Sequence, residues 1–456
     1  MRGSAEGFPM RRVDVLVLGG GAAGIVAAMT AKTSYPDKDV MVVRREERVL
    51  VPCGIPYIFG TLKSVEKDLI PDEMLAKAGV EILIADVNEI DLGEKTALTS
   101  DGEKIRFEKL ILATGSLPVR PPIRGLEKEG VFYIRKDASY LRELFERVGE
   151  SERVLIIGGG FIGVELADEI RKLGKEVTIV EMREHVLQAS FDDEFCEMAE
   201  NELKRHGVEI YTGTVVKEIL GNGEVRGVLL SGKGRIDADL VIVSAGMRPN
   251  TELAERMGLK VSRFGVEVDE YMRTSHPDVF AAGDCAEKRD FFTRKPKPVM
   301  LASVATAEAR IAGANLYRIR AFRQFRGTLG IFATKIGDIS LGAAGLIERT
   351  AREEGFEYVV GRSRVPNRHP ASLPGTGEIV TKLIFTKHGG FFLGGQVAGG
   401  DEVGVLTNLV GMAIESGYTA SQYLSLQIGT HPLLTPAPTM PATLKAAEDA
   451  LRKIYT

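Results

Sequence analysis

Cysteine is scarce in this chain, with three residues in 456: Cys53, Cys196 and Cys285. Three thiols cannot all pair within one chain. Usage this sparse argues against a disulfide-stapled secreted scaffold and fits a reducing, cytoplasmic compartment. Long apolar runs are also missing. None approaches the roughly 18 residues that a bilayer-spanning helix needs, so no membrane span is expected. The opening MRGSAEGFPM has no apolar core of signal-peptide length and reads as an appended leader, with Met10 the expected natural start. A basic excess is absent as well. With 59 basic and 63 acidic residues the net charge is −4, which gives no electrostatic footprint for nucleic acid. Asn and Gln are few beside those charges, a ratio associated with heat adaptation that says nothing about chemistry.

What is present points to an ordinary soluble chain, 44% hydrophobic and 27% charged, long enough for roughly three domains. Residues 12–18 (RVDVLVL) form a short apolar strand pattern, followed at once by GGGAAG and the Ala-rich helical IVAAMTAK, then by the strand-like VMVV. This is a βαβ unit. The same grammar returns at 153–157 (RVLII), leading into GGGFIG, the helical VELADEIRKLG and the strand EVTIVE. Two such starts predict two nucleotide-binding domains, or one inserted in the other. KLILATGS (109–116) and DLVIVSAGMRPN (239–250) each run from a strand into a tight Gly turn, and DVFAAGDCAE (278–287) ends a strand at Gly-Asp. Beyond about residue 327 the segments FATKIGDISLGAAG and IVTKLIFTKHGGFFLGGQVAGG alternate like antiparallel strands.

The chemistry rests first on glycine. Gly19, Gly21 and Gly24 make a G-x-G-x-x-G between strand and helix: a tight turn, a place for backbone to approach a pyrophosphate, and close helix–strand packing. Gly158, Gly160 and Gly163 repeat it. An acidic residue about 20 positions further on is expected to hydrogen-bond a ribose. In the second unit it is Glu181, which favours the free 2′-hydroxyl of NADH over the 2′-phosphate of NADPH, with Arg183 close enough to soften that preference. The first unit has Arg44 in that place, so Arg44 itself, or Glu46 or Glu47 beside it, is the expected cofactor contact, the alternative being that Arg44 is only a solvated charge.

With these pieces in order, the chain resembles the pyridine nucleotide-disulfide oxidoreductases. It is most similar to their single-cysteine branch of coenzyme A-disulfide reductases, NADH oxidases, NADH peroxidases and persulfide reductases. The matching segments are GGGAAG, VPCGIPY, ILATGSLPVRPP, GGGFIGVELAD, VSAGMRPN, FAAGDCAE and LASVATAEARIAGANL. The resemblance implies an α/β protein with two Rossmann-like domains, one inserted in the other, and a C-terminal α+β dimerisation domain. The expected boundaries are 1–119 with 247–326 for FAD, 120–246 for NAD(P)H, and 327–456 for a homodimer interface. It further implies that Thr114, Gly115 and Gly246 lie near the cofactor turns. Asp284 of Gly283-Asp284 would hold the FAD ribityl chain, Phe161 would shield the flavin, and Glu165 would line the nicotinamide.

Cys53, in VPCGIPY, is the expected redox residue. The family places this cysteine against the flavin, cycling through a mixed disulfide, a persulfide or a sulfenic acid, and only its thiolate is a useful nucleophile. The alternative is a buried apolar cysteine. Cys196 lies in the acidic FDDEFCEMAE, where a thiolate is disfavoured, Cys285 directly follows Gly283-Asp284 and reads as packing, and neither offers Cys53 a CxxxxC partner. Departures from the family narrow the reaction. Ala22 stands where peroxidases and many oxidases carry a histidine, removing a proton partner. Ser372 and Leu373 of HPASLPG stand where coenzyme A-disulfide reductases carry tyrosine, and THPLLTPAP has no tyrosine either. His431-Pro432 resembles the acid-base His-Pro of dithiol reductases, the alternative being a turn histidine. The expected activity passes hydride from NADH, with NADPH as alternative, through flavin and Cys53 to a small disulfide, persulfide or polysulfide, coenzyme A being one candidate thiol. Oxygen is the alternative acceptor. A rubredoxin- or ferredoxin-type carrier and a non-catalytic NADH sensor are the other readings. No metal ligand set is expected.

Overall fold

The computed structural model describes residues 10–320 and 326–456, so the expected leader lies outside the described residues up to Pro9. The chain divides into two compact units. One is built from Met1–Arg120, Ile134–Glu146 and Gly246–Thr328, the other from Pro121–Tyr133, Arg147–Ala245 and Leu329–Thr456.

The first unit centres on a five-stranded parallel sheet in the order Val279–Ala281, Lys109–Leu112, Val15–Leu18, Val40–Arg44, Val80–Ile84. The central strand, VLVL, is buried throughout, because a parallel sheet is covered on both faces. Its side chains alternate accordingly. Val15 and Val17 face the Ala22–Ser34 helix and the Ala302–Ala314 helix, both alanine-rich and therefore able to pack closely. Leu16 and Leu18 face the opposite core, formed with Ile90, Ala97 and Ile105 of a small four-stranded sheet.

The second unit holds another five-stranded parallel sheet, ordered Val131–Tyr133, Leu240–Val243, Arg153–Ile157, Glu176–Val180, Val208–Tyr211. It also holds a five-stranded antiparallel sheet ordered Phe332–Ile336, Ile339–Gly345, Phe392–Gly399, Glu378–Thr386, Tyr358–Pro366. The hairpins read from the alternating C-terminal segments are present as expected. The Val403–Glu415 and Ala442–Tyr455 helices pack on this sheet. The Val403–Glu415 helix leaves Val405 and Met412 exposed.

The observed grouping differs from the expected boundaries at residues 134–146, which belong with the first unit. Their side chains explain why: Arg142 pairs with Glu66 at 2.7 Å, Phe145 stacks on Phe59 at 6.0 Å, and Lys136 reaches Asp284 at 2.9 Å.

The second unit is held by an ion cluster that joins its nucleotide-binding half to its antiparallel sheet. Lys382, 4% exposed, has Asp192 at 2.8 Å and Glu194 and Glu348 each at 2.7 Å. Burial works against ionisation of Asp192 and Glu348, yet Lys382 holds both carboxyls below their usual range, and the same partners hold the Lys382 ammonium above its own. Removing the cation takes the counter-charge from the buried Asp192, while Glu194 and Glu348 keep Arg362 at 3.4 and 3.5 Å. We expect Lys382→Met to lower stability by about 3–5 kcal/mol in denaturant unfolding. Carboxyls with depressed folded pKa stabilise above their unfolded value and lose that contribution as pH falls through the folded one. The difference from wild type is therefore full at neutral pH and shrinks below about pH 4.

Candidate functional site

In the first unit the GGGAAG run forms the turn between the Val15–Leu18 strand and the Ala22–Ser34 helix. Gly19 adopts φ +114°, and a Cβ on Gly24 would stand 1.8 Å from the Gly19 carbonyl oxygen, so helix and turn meet at backbone distance. A Cβ on Gly21, the helix N-cap, would meet nothing within 4 Å. The helix therefore begins at an open, side-chain-free end whose N–H groups are available to an anion. In the second unit Gly158 adopts φ +109°, a Cβ on Gly163 would stand 2.0 Å from the Gly158 carbonyl oxygen, and Gly160 is an open N-cap. The sequence periodicity located both cradles.

Around the first cradle the structure gathers the other expected residues of this unit. Gly283 packs where a Cβ would lie 2.7 Å from Ala23, at the start of the glycine helix. Asp284 beside it accepts from Ser116 Oγ (2.7 Å) and Lys136 Nζ (2.9 Å). Burial raises the cost of its charge, but Lys136, Ser116 and Lys288 hold the carboxyl below its usual range. Thr114 Oγ1 donates to the Asn250 carbonyl at 2.7 Å, and Asn250 N–H donates to Gly115. Val119 N–H donates to the Gly246 carbonyl at 3.0 Å, so Thr114, Gly115 and Gly246 share one crossing of the chain. Behind Gly283 lies a buried pair missed in the sequence: Lys288 and Glu308, 3.2 Å apart, with Glu308 also accepting the Gly283 N–H at 2.9 Å. A lone carboxylate in an alanine-rich helix was the available signal.

Arg44 requires a correction to the reading of it as a solvated charge. Its side chain is 1% exposed and clamps Asp72 with two bonds of 2.7 and 2.6 Å, while Nε and Nη2 donate to the carbonyls of Glu46 and Glu47. It is an internal strut beneath Gly20, whose missing side chain would strike it at 2.4 Å. Glu46 is half-buried at the same turn.

Cys53 is exposed, one residue ahead of the N-cap of the Ile55–Ile58 3₁₀ turn, whereas Cys196 and Cys285 are buried. Burial, then the nearby Asp193 charge, pushes the Cys196 thiol up to about 12, and burial raises Cys285. Thiolate chemistry at neutral pH is closed to both.

In the second unit Glu181 Oε2 accepts the Gly159 N–H at 2.6 Å and Oε1 accepts the Arg183 N–H at 2.8 Å. Its carboxylate is thus fixed at the edge of the second cradle by two backbone N–H groups. Phe161 and Glu165 lie on the helix that starts there. Burial pushes the Glu165 carboxyl up to about 7, opposed by a hydrogen bond from Thr334 Oγ1 at 2.7 Å. His431 is exposed at a turn, its Nδ1 accepting the Leu433 N–H at 3.3 Å. That turn meets the HPASLPG segment through His369, whose N–H donates to the Pro432 carbonyl at 3.0 Å. Glu202, His206 and Asp338 bring ligand atoms within 4.8 Å of one another, but Arg205 already bonds both carboxylates, at 2.6 and 2.7 Å.

Residues 13–309 match the family model described as pyridine nucleotide-disulphide oxidoreductase, and residues 331–442 match that family's dimerisation domain. The chain belongs to the pyridine nucleotide-disulphide oxidoreductases. It is therefore an enzyme of an FAD- and NAD(P)H-dependent oxidoreductase family, as the motifs predicted. It is 31% identical to an NADH oxidase of Methanocaldococcus jannaschii, covering 96% of this chain and 99% of that one. It is 34% identical to an NAD(P)H coenzyme A polysulfide/persulfide reductase of Pyrococcus horikoshii, covering 92% and 95%. A solved NAD-dependent persulfide reductase from A. fulgidus superposes with a TM-score of 0.89 at 32% identity, covering 96% of this chain and 83% of that one. The two open glycine cradles and the anchored Asp284 and Glu181 carboxylates fit the dinucleotides of this family.

Glu181 gives a test of nucleotide choice. Glu181→Gln keeps an acceptor for Gly159 N–H and removes a charge that would repel a 2′-phosphate if the ribose lies there, as the spacing leads one to expect. We expect the ratio of kcat/KM for NADH over NADPH to fall about tenfold, largely through a lower KM for NADPH.

Proposed function

We propose that the protein uses NAD(P)H to reduce small disulfides, persulfides or polysulfides at Cys53. The observation that carries this reading is the contrast among the three thiols, of which Cys53 alone is exposed. The first unit would hold FAD through Gly19, Gly21, Gly24, Thr114, Gly115, Gly246, Gly283 and Asp284. The second would hold the nicotinamide nucleotide through Gly158, Gly160, Gly163 and Glu181, with Phe161 and Glu165 toward the nicotinamide. When bound, the flavin supplies a two-electron path from nicotinamide to sulfur.

The work of the chain's own residues follows. The Cys53 thiolate attacks one sulfur of the substrate S–S bond, forming a mixed disulfide and releasing the other sulfur as a thiolate. Two electrons from NAD(P)H and one proton then return Cys53 to its thiolate and release the second thiol. The Pro52-Cys53-Gly54-Ile55-Pro56 turn holds the thiol at the surface, since the prolines limit the backbone on both sides. Coenzyme A is a candidate carrier thiol because a relative's name includes it. The two segments where the family's coenzyme A-disulfide reductases place tyrosines meet here without one, which favours a persulfide or polysulfide over coenzyme A disulfide. Oxygen is the second reading, supported by the relatives named NADH oxidase. We further propose that the dimerisation domain forms a homodimer, that the enzyme works in the cytoplasm, and that His431 is a secondary acid-base candidate. No described helix is long and apolar enough to cross a membrane.

The test is anaerobic reduction by NADH followed by addition of polysulfide, coenzyme A disulfide or oxygen to wild type and Cys53→Ser. We expect Cys53→Ser to keep reduction of the flavin by NADH and to lose sulfur-dependent reoxidation to background. Equal reoxidation of both proteins by oxygen or a protein carrier alone would sink the Cys53 reading.

A further inference from the structure

The Phe332–Ile336 strand borders the antiparallel sheet of the second unit, and it lies along the helix that begins at Phe161. Phe332 and Thr334 are two positions apart and so share a face of that strand. Phe332 meets Phe161 edge-on, with ring centroids 5.0 Å apart, and Phe191 closes the cluster at 6.2 Å from Phe161 and 5.6 Å from Phe332. One step along, Thr334, 5% exposed, donates its hydroxyl to Glu165 Oε1 at 2.7 Å. A strand from the C-terminal part of the chain therefore touches both side chains proposed for the nicotinamide end, and it does so through its one aromatic ring and its one hydroxyl.

We propose that Phe332 and Thr334 are positioning residues for the nicotinamide site, with Phe332 backing the Phe161 ring and Thr334 holding the Glu165 carboxyl in place. The proposal rests on the reading of Phe161 and Glu165 as nicotinamide-site residues. A carboxylate there favours the positive charge that the nicotinamide ring gains when hydride leaves. Burial alone drives Glu165 toward the neutral acid. The Thr334 hydroxyl opposes this, and the Glu169 charge, a turn further along the helix, raises the carboxyl further. Glu169 is itself neutralised by Lys172 at 2.6 Å. On the strand, Lys335 is turned away and pairs with Asp401. Loss of the hydroxyl thus moves the Glu165 titration to higher pH.

The experiment uses the FAD-loaded full chain and its Thr334→Val, Thr334→Ser and Glu165→Gln variants. Affinities for NAD⁺ and for ADP-ribose, which lacks nicotinamide, are measured by calorimetry, and the pH profile of flavin reduction by NADH is measured by stopped flow. We expect Thr334→Val to weaken NAD⁺ about fivefold while ADP-ribose stays within about twofold. The midpoint of the pH profile should move upward by about half a unit or more, and Thr334→Ser should restore both. If Thr334→Val matches wild type while Glu165→Gln weakens NAD⁺ selectively, the positioning role is overturned and the nicotinamide reading stands. If Glu165→Gln also leaves NAD⁺ and the pH profile unchanged, the nicotinamide reading itself fails and the inference with it.

Discussion

The structure depends on backbone meeting backbone at two turns. At Gly19 and Gly24, and again at Gly158 and Gly163, strand end and helix start approach so closely that a single added carbon would overlap a carbonyl oxygen. That approach leaves each helix N-terminus unblocked, with its N–H groups and partial positive charge facing outward. The parallel sheets exist to deliver the chain to those points. Their strands are apolar on both faces, and the turns sit at their carboxyl ends, where open α/β sheets bind ligands.

Buried charge does the second task, which is to hold irregular loops in one arrangement. Arg44 clamps Asp72 beneath the first cradle, Lys288 and Glu308 fix Gly283, and Lys382 gathers three carboxylates in the second unit. Each ion is costly to desolvate, and each is offset by opposite charge or hydrogen bonds brought from other segments of the chain. Asp284 and Glu181 follow the same logic at the sites themselves. Their carboxylates are anchored by Ser116, Lys136 and backbone N–H groups before any ligand arrives.

Much of this was legible in the sequence. Glycines between strand and helix marked both tight turns, and the strand–helix–strand pattern placed Glu181 at the end of the second strand. The acidic run around Cys196 marked a place where a thiolate is disfavoured, but its burial came only with the fold. Partners distant in sequence were not legible: Asp72 for Arg44, Lys136 for Asp284, Thr334 for Glu165. A side chain's partner across more than twenty residues depends on how elements pack, and neither periodicity nor spacing encodes that. Residues 134–146 illustrate the point. They continue the second nucleotide-binding segment in the chain, yet they pack with the first unit through Arg142, Phe145 and Lys136.

By itself, then, the sequence determined the local chemistry. It set which turns can approach a phosphate, which thiol stands between prolines, and which strands alternate. These are properties of short stretches, governed by backbone sterics and side-chain period. Tertiary structure alone decided the electrostatic state of the groups so placed. Arg44 became a buried strut, and Glu165, placed at the nicotinamide only by the family resemblance, became a carboxyl that burial pushes up to about 7. The reason is physical: ionisation inside a protein depends on solvent access and on charges and hydrogen-bond donors brought in from elsewhere in the chain, and only the folded arrangement supplies them.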